Sequence, residues 1–370
     1  MIWSTPALQD TTIFESDPYR NAGLDQVLEL RKAGDVTTAD LTESRILIKF
    51  DLANISNILS TNNININSIS ASLKLYTVQE SEIPETYVIE ARTLAVSWSN
   101  GAGYNATPAG LIASTAVVDG ASWVSTNGTV SASWSGSLNA GRQITYNTVI
   151  GGGVWHTSSI ASQSFNYKSF DSVDINVTNF VKNWYNNVYT NNGVVIAFNN
   201  AAISSSNYPN TTMQFYSSNT NTVFEPQLYI SWTGSITYNT GSMSLLTYED
   251  SPIIYTRAFK GEYLQDKKIR ILLGSRIKYP RPNFAQNSTF ATMKALPQSS
   301  YYQIKDAHNE NIIIPYSQFT KINTNPSGSY FDLYTTMLYP ERYYKFEIQA
   351  EFSDITEYFN SNDFIFKIVK

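Results

Sequence analysis

Two histidines, His156 and His308, are the first residues to consider for catalysis, because imidazole is the usual general base near neutral pH. His308 lies in the polar segment 306–310, which we predict to be a solvent-exposed turn between two strands. His156 follows Trp155 in a glycine-rich loop, with no acidic residue nearby in the sequence. No Gly-x-Ser-x-Gly motif accompanies either histidine, so the sequence argues against a Ser-His-Asp hydrolase.

Acidic pairs are the second source of catalytic chemistry, since a glycosidase needs two carboxyl groups that face each other across a cleft. The candidates in this chain are Glu15, Asp17, Glu80, Glu82 and Glu90. They cluster in predicted loops and at predicted strand ends, as the acidic residues of a solvated surface do. We therefore predict that the protein is not an enzyme and has no catalytic residues.

Calcium is the metal ion that the loops of a β-protein could best hold, because these loops supply oxygen ligands. Glu15, Asp17, Asn21 and Asp25 lie in one predicted loop, but their spacing differs from that of an EF-hand. The chain has no cysteine, which excludes disulfides and the usual thiolate zinc sites. We therefore predict no metal site and no cofactor.

Four tryptophans are the residues best suited to bind a ligand, because an indole ring can stack on the apolar face of a sugar. They are Trp98, Trp123, Trp134 and Trp155. These positions are our candidate glycan-binding residues. The alternative is that most of them are core or interface residues, and the sequence leaves both interpretations open.

The middle of the chain has very few charges. Between residues 93 and 170 only Asp119, Arg142 and Lys168 carry a full charge, among many Ser, Thr, Asn, Gly, Tyr and Trp residues. A solvated helix cannot form there, because almost no side chains are present to cover its polar face. Hydroxyl and amide side chains instead suit strands and loops, so we predict an all-β protein.

Alternating apolar residues predict short strands over much of the chain. In the segment 44–52, Ile46, Ile48 and Phe50 point to one side, and the segment 69–76 alternates in the same way. Further strands are predicted near 88–96, 193–198, 213–217 and 227–232. One short helix is predicted after residue 177, with Thr178 as its N-cap. Many short strands with few helices indicate a sandwich or barrel.

The charge distribution predicts a domain boundary near residue 236. Residues 1–235 contain 10 Lys and Arg against 17 Asp and Glu, a net charge of −7, whereas residues 236–370 have a net charge of +2. We predict a β-sandwich domain at 1–235, a linker rich in Gly, Ser and Thr at 236–248, and one or two smaller β-domains at 249–370. Neither part is basic enough to favour nucleic acid as a partner.

No targeting segment is evident in the sequence. The first residues lack the basic and apolar regions of a secretory signal, and no stretch has the roughly 20 apolar residues of a membrane span. We therefore expect synthesis in a bacterial cytoplasm without export, and no membrane association.

The first domain resembles a known family. Its segments are similar to the motifs of the DNRLRE domain, in order and spacing, at 10–23, 45–52, 69–76, Trp98 with Trp123, 174–184, 192–194 and 226–232. This resemblance implies a jelly-roll-like β-sandwich that serves in carbohydrate binding or as a structural stalk or spacer. Residues 100–168 are longer than the family pattern.

The C-terminal part resembles the C-terminal modules of tailed-phage virion proteins, through the segments 302–308, 312–316 and 338–344. We predict that the smaller domains of this part are immunoglobulin-like or fibronectin-III-like sandwiches. We expect a non-enzymatic virion protein of the neck, baseplate or fibre region, which forms a homo-oligomer and binds other virion proteins. The alternative is a carbohydrate-binding module of a cell-surface or polysaccharide-active protein, and a host glycan is a further candidate ligand in either case.

Overall fold

The protein is all-β, and its architecture is described from a computed structural model. The described residues are 1–34, 42–81, 86–104, 119–128, 133–134, 151–166, 172–199, 210–234, 236–280, 292–353 and 355–370. The chain divides into two compact units. The N-terminal unit is Thr5–Ile230, and the C-terminal unit is Ser231–Lys370 together with Met1–Ser4.

The first eleven strands form one 11-stranded sheet. These strands are β1 (Ile2–Phe14), β2 (Val27–Ala33), β3 (Thr42–Phe50), β4 (Ile69–Leu75), β5 (Thr77–Ser81), β6 (Thr86–Leu94), β7 (Trp155–Asn166), β8 (Val173–Asn176), β9 (Val194–Phe198), β10 (Thr211–Tyr216) and β11 (Gln227–Trp232). The order is β5-β10-β2-β3-β1-β11-β4-β8, with β9 paired to β3 and β6, and β7 paired to β6. The pairs β1–β3, β2–β10, β3–β9, β4–β8, β6–β7 and β6–β9 are antiparallel, consistent with a β-sandwich.

Strand burial confirms the predicted alternation in β4 but not in β3. In β4, Ile69, Ala71, Leu73 and Leu75 are buried and the residues between them are partly exposed. In β3, every residue from 43 to 48 is buried. This strand pairs with β1, β2 and β9, and residues of both its faces are buried, including Arg45 and Leu47 on the face opposite Ile46 and Ile48.

The described residues of the N-terminal unit include two short helices, α1 (Ala53–Thr61) and α2 (Thr178–Tyr185). The predicted helix is therefore confirmed as α2, but its N-cap is Val177, and Thr178 is the first helical residue. The Thr178 hydroxyl instead accepts a hydrogen bond from the Ala71 amide at 2.8 Å, which ties the helix to β4. Phe180, Val181 and Trp184 are the buried side chains of α2.

The C-terminal unit contains a four-stranded and a six-stranded sheet. Its strands are β12 (Pro252–Arg257), β13 (Glu262–Leu264), β14 (Lys268–Ile277), β15 (Ser300–Asp306), β16 (Ile312–Ile314), β17 (Asn323–Asn325), β18 (Gly328–Tyr334), β19 (Arg342–Phe352), β20 (Ile355–Phe359) and β21 (Ile365–Val369). The orders are β12-β14-β18-β17 and β13-β21-β19-β15-β16, with β20 paired to β19. Stacked rings fill the core, including Tyr302 on Phe331 at 4.1 Å and Phe346 on Phe364 at 4.5 Å between centroids.

The segment 236–248, predicted as a linker, lies inside the C-terminal unit. Tyr238 forms a parallel bridge with Thr324, and its hydroxyl donates to the carbonyl of Leu296 at 2.8 Å. Leu246 is buried in the hydrophobic core. The backbone of Thr237 and Asn239 is also hydrogen-bonded to β17. The division between the units falls earlier, between Ile230 and Ser231. The jelly-roll and immunoglobulin-like classes stay predictions.

Candidate functional site

Arg45 is the centre of a buried cluster in the N-terminal unit. Its side chain is 1% exposed, and its guanidinium carbon lies 4.8 Å from the ring centroid of Trp123 and 5.2 Å from that of Trp155. Nε of Arg45 donates to Oε1 of Glu43 at 3.0 Å, and Nη1 donates to the carbonyl of Gly152 at 2.6 Å. The buried charge is therefore paired and hydrogen-bonded, as a buried cation must be.

The register of β3 explains why Arg45 meets the tryptophans. Arg45 and Leu47 project from the same face of the strand, and they pair with Ile13 of β1 and Val195 of β9. These apolar neighbours belong to one hydrophobic cluster that also contains the four candidate tryptophans. The segments that carry the tryptophans therefore cover this face of β3 as an additional layer.

All four candidate glycan-binding tryptophans are buried. Trp98, Trp123, Trp134 and Trp155 are 7%, 3%, 2% and 3% exposed. They therefore do not form an exposed stacking platform and occupy the core role that the sequence left open. None of the four rings is exposed for stacking on a sugar. Glycan binding by these residues stays a prediction.

The indole N–H groups of the cluster differ in their bonding. Nε1 of Trp98 donates to the carbonyl of Asn192 at 2.9 Å, and Nε1 of Trp134 donates to the carbonyl of Ser122 at 2.8 Å. The N–H groups of Trp123 and Trp155 are buried and have no hydrogen-bond partner in the part of the chain that the structure describes. Cation–π contact with Arg45 is therefore the main polar interaction of these two rings.

Two further buried carboxyl groups lie on β1 and in the loop that follows it. Oε2 of Glu15 accepts a hydrogen bond from the Glu43 amide at 3.1 Å, and burial raises the pKa of Glu15 to about 7. Asp10 accepts hydrogen bonds from the Ser218 amide at 2.7 Å and the Ser218 hydroxyl at 2.9 Å. Burial raises the pKa of Asp10 to about 7 despite these bonds, which favour the ionised form.

Asn21 holds three loops together. Its Nδ2 donates to the carbonyls of Asn100 and Ala121, both at 2.8 Å, and its Oδ1 accepts from the amides of Gly23 and Gly103 at 3.1 and 2.8 Å. All the hydrogen-bonding positions of the amide are therefore used. A bound calcium ion would have to replace these bonds.

The other residues considered for catalysis or calcium binding mostly have internal partners. Asp17 pairs with Arg20 at 2.9 Å, and Glu90 pairs with Arg92 at 3.2 Å. The side chains of Glu80 and Glu82 lie outside the described residues. Within the described part of the chain, no group of three or more His, Asp or Glu residues is arranged to hold a metal ion.

The two histidines lie in unrelated surroundings. The His156 ring stacks on Tyr189 with 3.9 Å between centroids, and burial lowers its pKa. His308 lies in a turn, as predicted, where its amide donates to Oδ1 of Asp306 at 2.8 Å.

Glu43, Arg45 and the burial of Glu15 were not predicted from the sequence. The only signal was the position of Arg45 within a strongly apolar strand, where a charged residue requires a buried partner or an exposed face.

The protein is therefore all-β and consists of two compact units. The polar side chains of Arg45, Glu43, Glu15, Asp10 and Asn21 form internal contacts in the N-terminal unit. No protein-family model and no curated protein matches this chain. In the described residues, no helix is long and apolar enough to span a membrane.

Proposed function

We propose that this chain is a non-enzymatic structural protein of a tailed-phage virion, which acts by assembly in the neck, baseplate or fibre region. The observation that carries the proposal is the Arg45 cluster. In this cluster the ion pair of Glu43 and Arg45 and four of the tryptophans are buried, so these residues support the fold as internal contacts.

The outer surface has residues suited to subunit contacts. Exposed large side chains occur in both units and include Leu8, Tyr19, Val188, Tyr248, Leu264 and Tyr279. Tyrosine is favourable in such contacts because it has a large ring, and its hydroxyl is hydrated while the surface is exposed to solvent before assembly. We therefore propose a homo-oligomer that also binds other virion proteins, since closed symmetric assembly is the common use of such surfaces.

The phage-specific part of the proposal rests on the two resemblances in the sequence. The DNRLRE-like motifs occur in the N-terminal unit, apart from residues 231–232 at the end of the last motif. The virion-like segments 302–308, 312–316 and 338–344 occur in the C-terminal unit. The carbohydrate-binding alternative was based on an exposed row of tryptophans. It gains no support from Trp98, Trp123, Trp134 or Trp155, because these rings are buried.

Immuno-electron microscopy tests the proposal. Antibody raised against the full chain is applied to purified particles of the phage that encodes it, with antibody pre-absorbed on the protein as the control. We expect label at one position at the neck, baseplate or fibres, and a sedimentation mass that is a multiple of 41.4 kDa. Unlabelled particles together with a monomeric protein in the lysate would contradict the proposal.

A further inference from the structure

We propose that the outer face of the six-stranded sheet in the C-terminal unit binds a neutral oligosaccharide, through Tyr301, Tyr316, Gln349 and Tyr358. This inference does not depend on the assembly role proposed above. It concerns tyrosines in the C-terminal unit, and none of the four tryptophans considered earlier.

The strand register places three of these side chains in one row. Gln349 of β19 pairs with Tyr301 of β15 on one side and with Tyr358 of β20 on the other. Directly paired residues of antiparallel strands project from the same face, with Cβ atoms about 5 Å apart. The neighbouring residues Tyr302 and Ile348 are buried in the core, so this row lies on the opposite, outer face.

Tyr316 adds a second ring to the row. It follows β16, which pairs with β15 on the side away from β19, whereas Tyr358 lies on β20 at the far side of β19. The two ring centroids are nevertheless 5.9 Å apart, with the ring planes at 51°, so Tyr316 reaches across the outer face. Tyr358 is 61% exposed, which leaves its ring available for stacking against the C–H groups of a sugar.

The polar groups beside the rings suit hydroxyl ligands. The amide of Gln349 provides both donors and an acceptor. The Tyr316 hydroxyl is buried, so this residue contributes to the site through its ring, which packs 5.9 Å from the ring of Tyr358. Burial and the nearby charge of Glu347 raise the pKa of Tyr316, so its hydroxyl remains neutral and adds no charge to this face.

The charges on this face favour a neutral ligand over a charged one. Nζ of Lys305 lies 2.8 Å from Glu347, and Glu310 lies 3.9 Å from both Lys305 and Lys345. The cations are therefore largely balanced and do not form the unpaired basic patch that a polyuronate or nucleic acid requires.

Calorimetric titration of the full chain tests this site. The probes are neutral hexasaccharides of glucose, mannose and N-acetylglucosamine, with hexagalacturonate as the charged comparison. We expect at least one neutral hexasaccharide to bind, and Tyr358→Ala to weaken its binding by about tenfold or more, since a few central aromatic residues dominate such sites. Tyr358→Phe should retain binding, because it keeps the ring.

The matched control is Tyr343→Ala. Tyr343 is 57% exposed and lies on the same sheet face near the start of β19, about 20 Å from Gln349 by strand rise, so its removal should leave binding unchanged. Thermal unfolding verifies that each variant is folded. Absence of binding to every neutral hexasaccharide, binding of hexagalacturonate alone, or an equal loss in the Tyr343 and Tyr358 variants would overturn the inference.

Discussion

The guanidinium group of Arg45 lies 4.8 Å from the ring of Trp123, and both residues are buried. They are far apart in the sequence, so their contact joins the central strand β3 to the layer that covers it. The same guanidinium group donates hydrogen bonds to Glu43 and to the carbonyl of Gly152. This single side chain therefore connects the strand, the covering layer and a buried carboxylate.

Replacing Arg45 should destabilise the N-terminal unit strongly. We expect Arg45→Met to lower the free energy of unfolding by about 3–5 kcal/mol, because Glu43 would be left as an unpaired buried charge. The double variant Glu43→Gln with Arg45→Met should recover part of this loss. Tryptophan fluorescence in urea is the measurement, since five of the seven tryptophans lie in this unit.

The control for this prediction is Arg92→Met. Arg92 is partly exposed and pairs with Glu90 at 3.2 Å, so its replacement should cost less than about 1 kcal/mol. Equal losses for the two arginine variants would show that the Arg45 cluster has no special role in stability.

Trp184 should anchor α2. It is 6% exposed and packs with Phe180 at 6.2 Å between centroids. We expect Trp184→Ala to lower the free energy of unfolding by about 3–5 kcal/mol through loss of buried area and formation of a cavity. Its neighbour Tyr185 is 38% exposed, and Tyr185→Ala should have a much smaller effect. An unchanged melting temperature for Trp184→Ala would show that this helix does not hold the unit together.

Asp10 should make the stability of the N-terminal unit depend on pH. Burial raises its pKa from 3.8 to about 7, so the folded state binds a proton more tightly than the unfolded state. Its contribution to stability is therefore present at low pH and is lost as the pH rises towards 7. Asp10→Asn removes this dependence. Between pH 4 and pH 8, the free energy of unfolding of the variant should therefore rise relative to that of the wild type by up to about 4 kcal/mol.

Urea unfolding of the wild type and of Asp10→Asn across this pH range measures the effect. Comparing the two proteins cancels the similar contribution of Glu15, whose pKa burial also raises. Asp51→Asn, which changes an exposed carboxyl group, is the control. A constant difference between Asp10→Asn and the wild type at every pH would contradict the prediction.

Glycine at position 120 should be required for stability, because this residue lies where the loops meet at Asn21. Its φ is +86°, and an added Cβ would lie 2.4 Å from Nδ2 of Asn21. We expect Gly120→Ala to cost about 3 kcal/mol or more, because backbone strain and a steric clash combine. Gly153 also has a positive φ, of +101°, but the nearest atom to its added Cβ is 3.7 Å away. Gly153→Ala therefore measures the backbone strain alone. In thermal unfolding, it should lose much less stability than Gly120→Ala.

The positions of the strands could be predicted from the sequence more successfully than the burial of individual side chains. The alternation of Ile69, Ala71, Leu73 and Leu75 was sufficient to locate β4 and its buried face, because strand periodicity is a local property. Periodicity did not indicate that the second face of β3, with Arg45 and Leu47, is also buried. That face is covered by residues that follow Leu94, and their return to the strand cannot be deduced from periodicity.

The predicted linker shows the same limit. Gly, Ser and Thr suggested an unpacked connector at 236–248, yet Tyr238 bonds to Leu296 and Leu246 is buried in the core. Small polar residues satisfy backbone groups equally well in a linker and beside a strand, so composition could not distinguish the two.

The sequence by itself determined the all-β class, because a long stretch almost free of charge cannot form the polar face of a solvated helix. Only the tertiary structure decided what the tryptophans and buried charges do. Trp123 and Trp155 are buried in contact with Arg45, and the outer tyrosine row depends on the pairing of three separate strands. Both arrangements join residues distant in the chain, and long-range contacts of this kind leave no local pattern in the sequence.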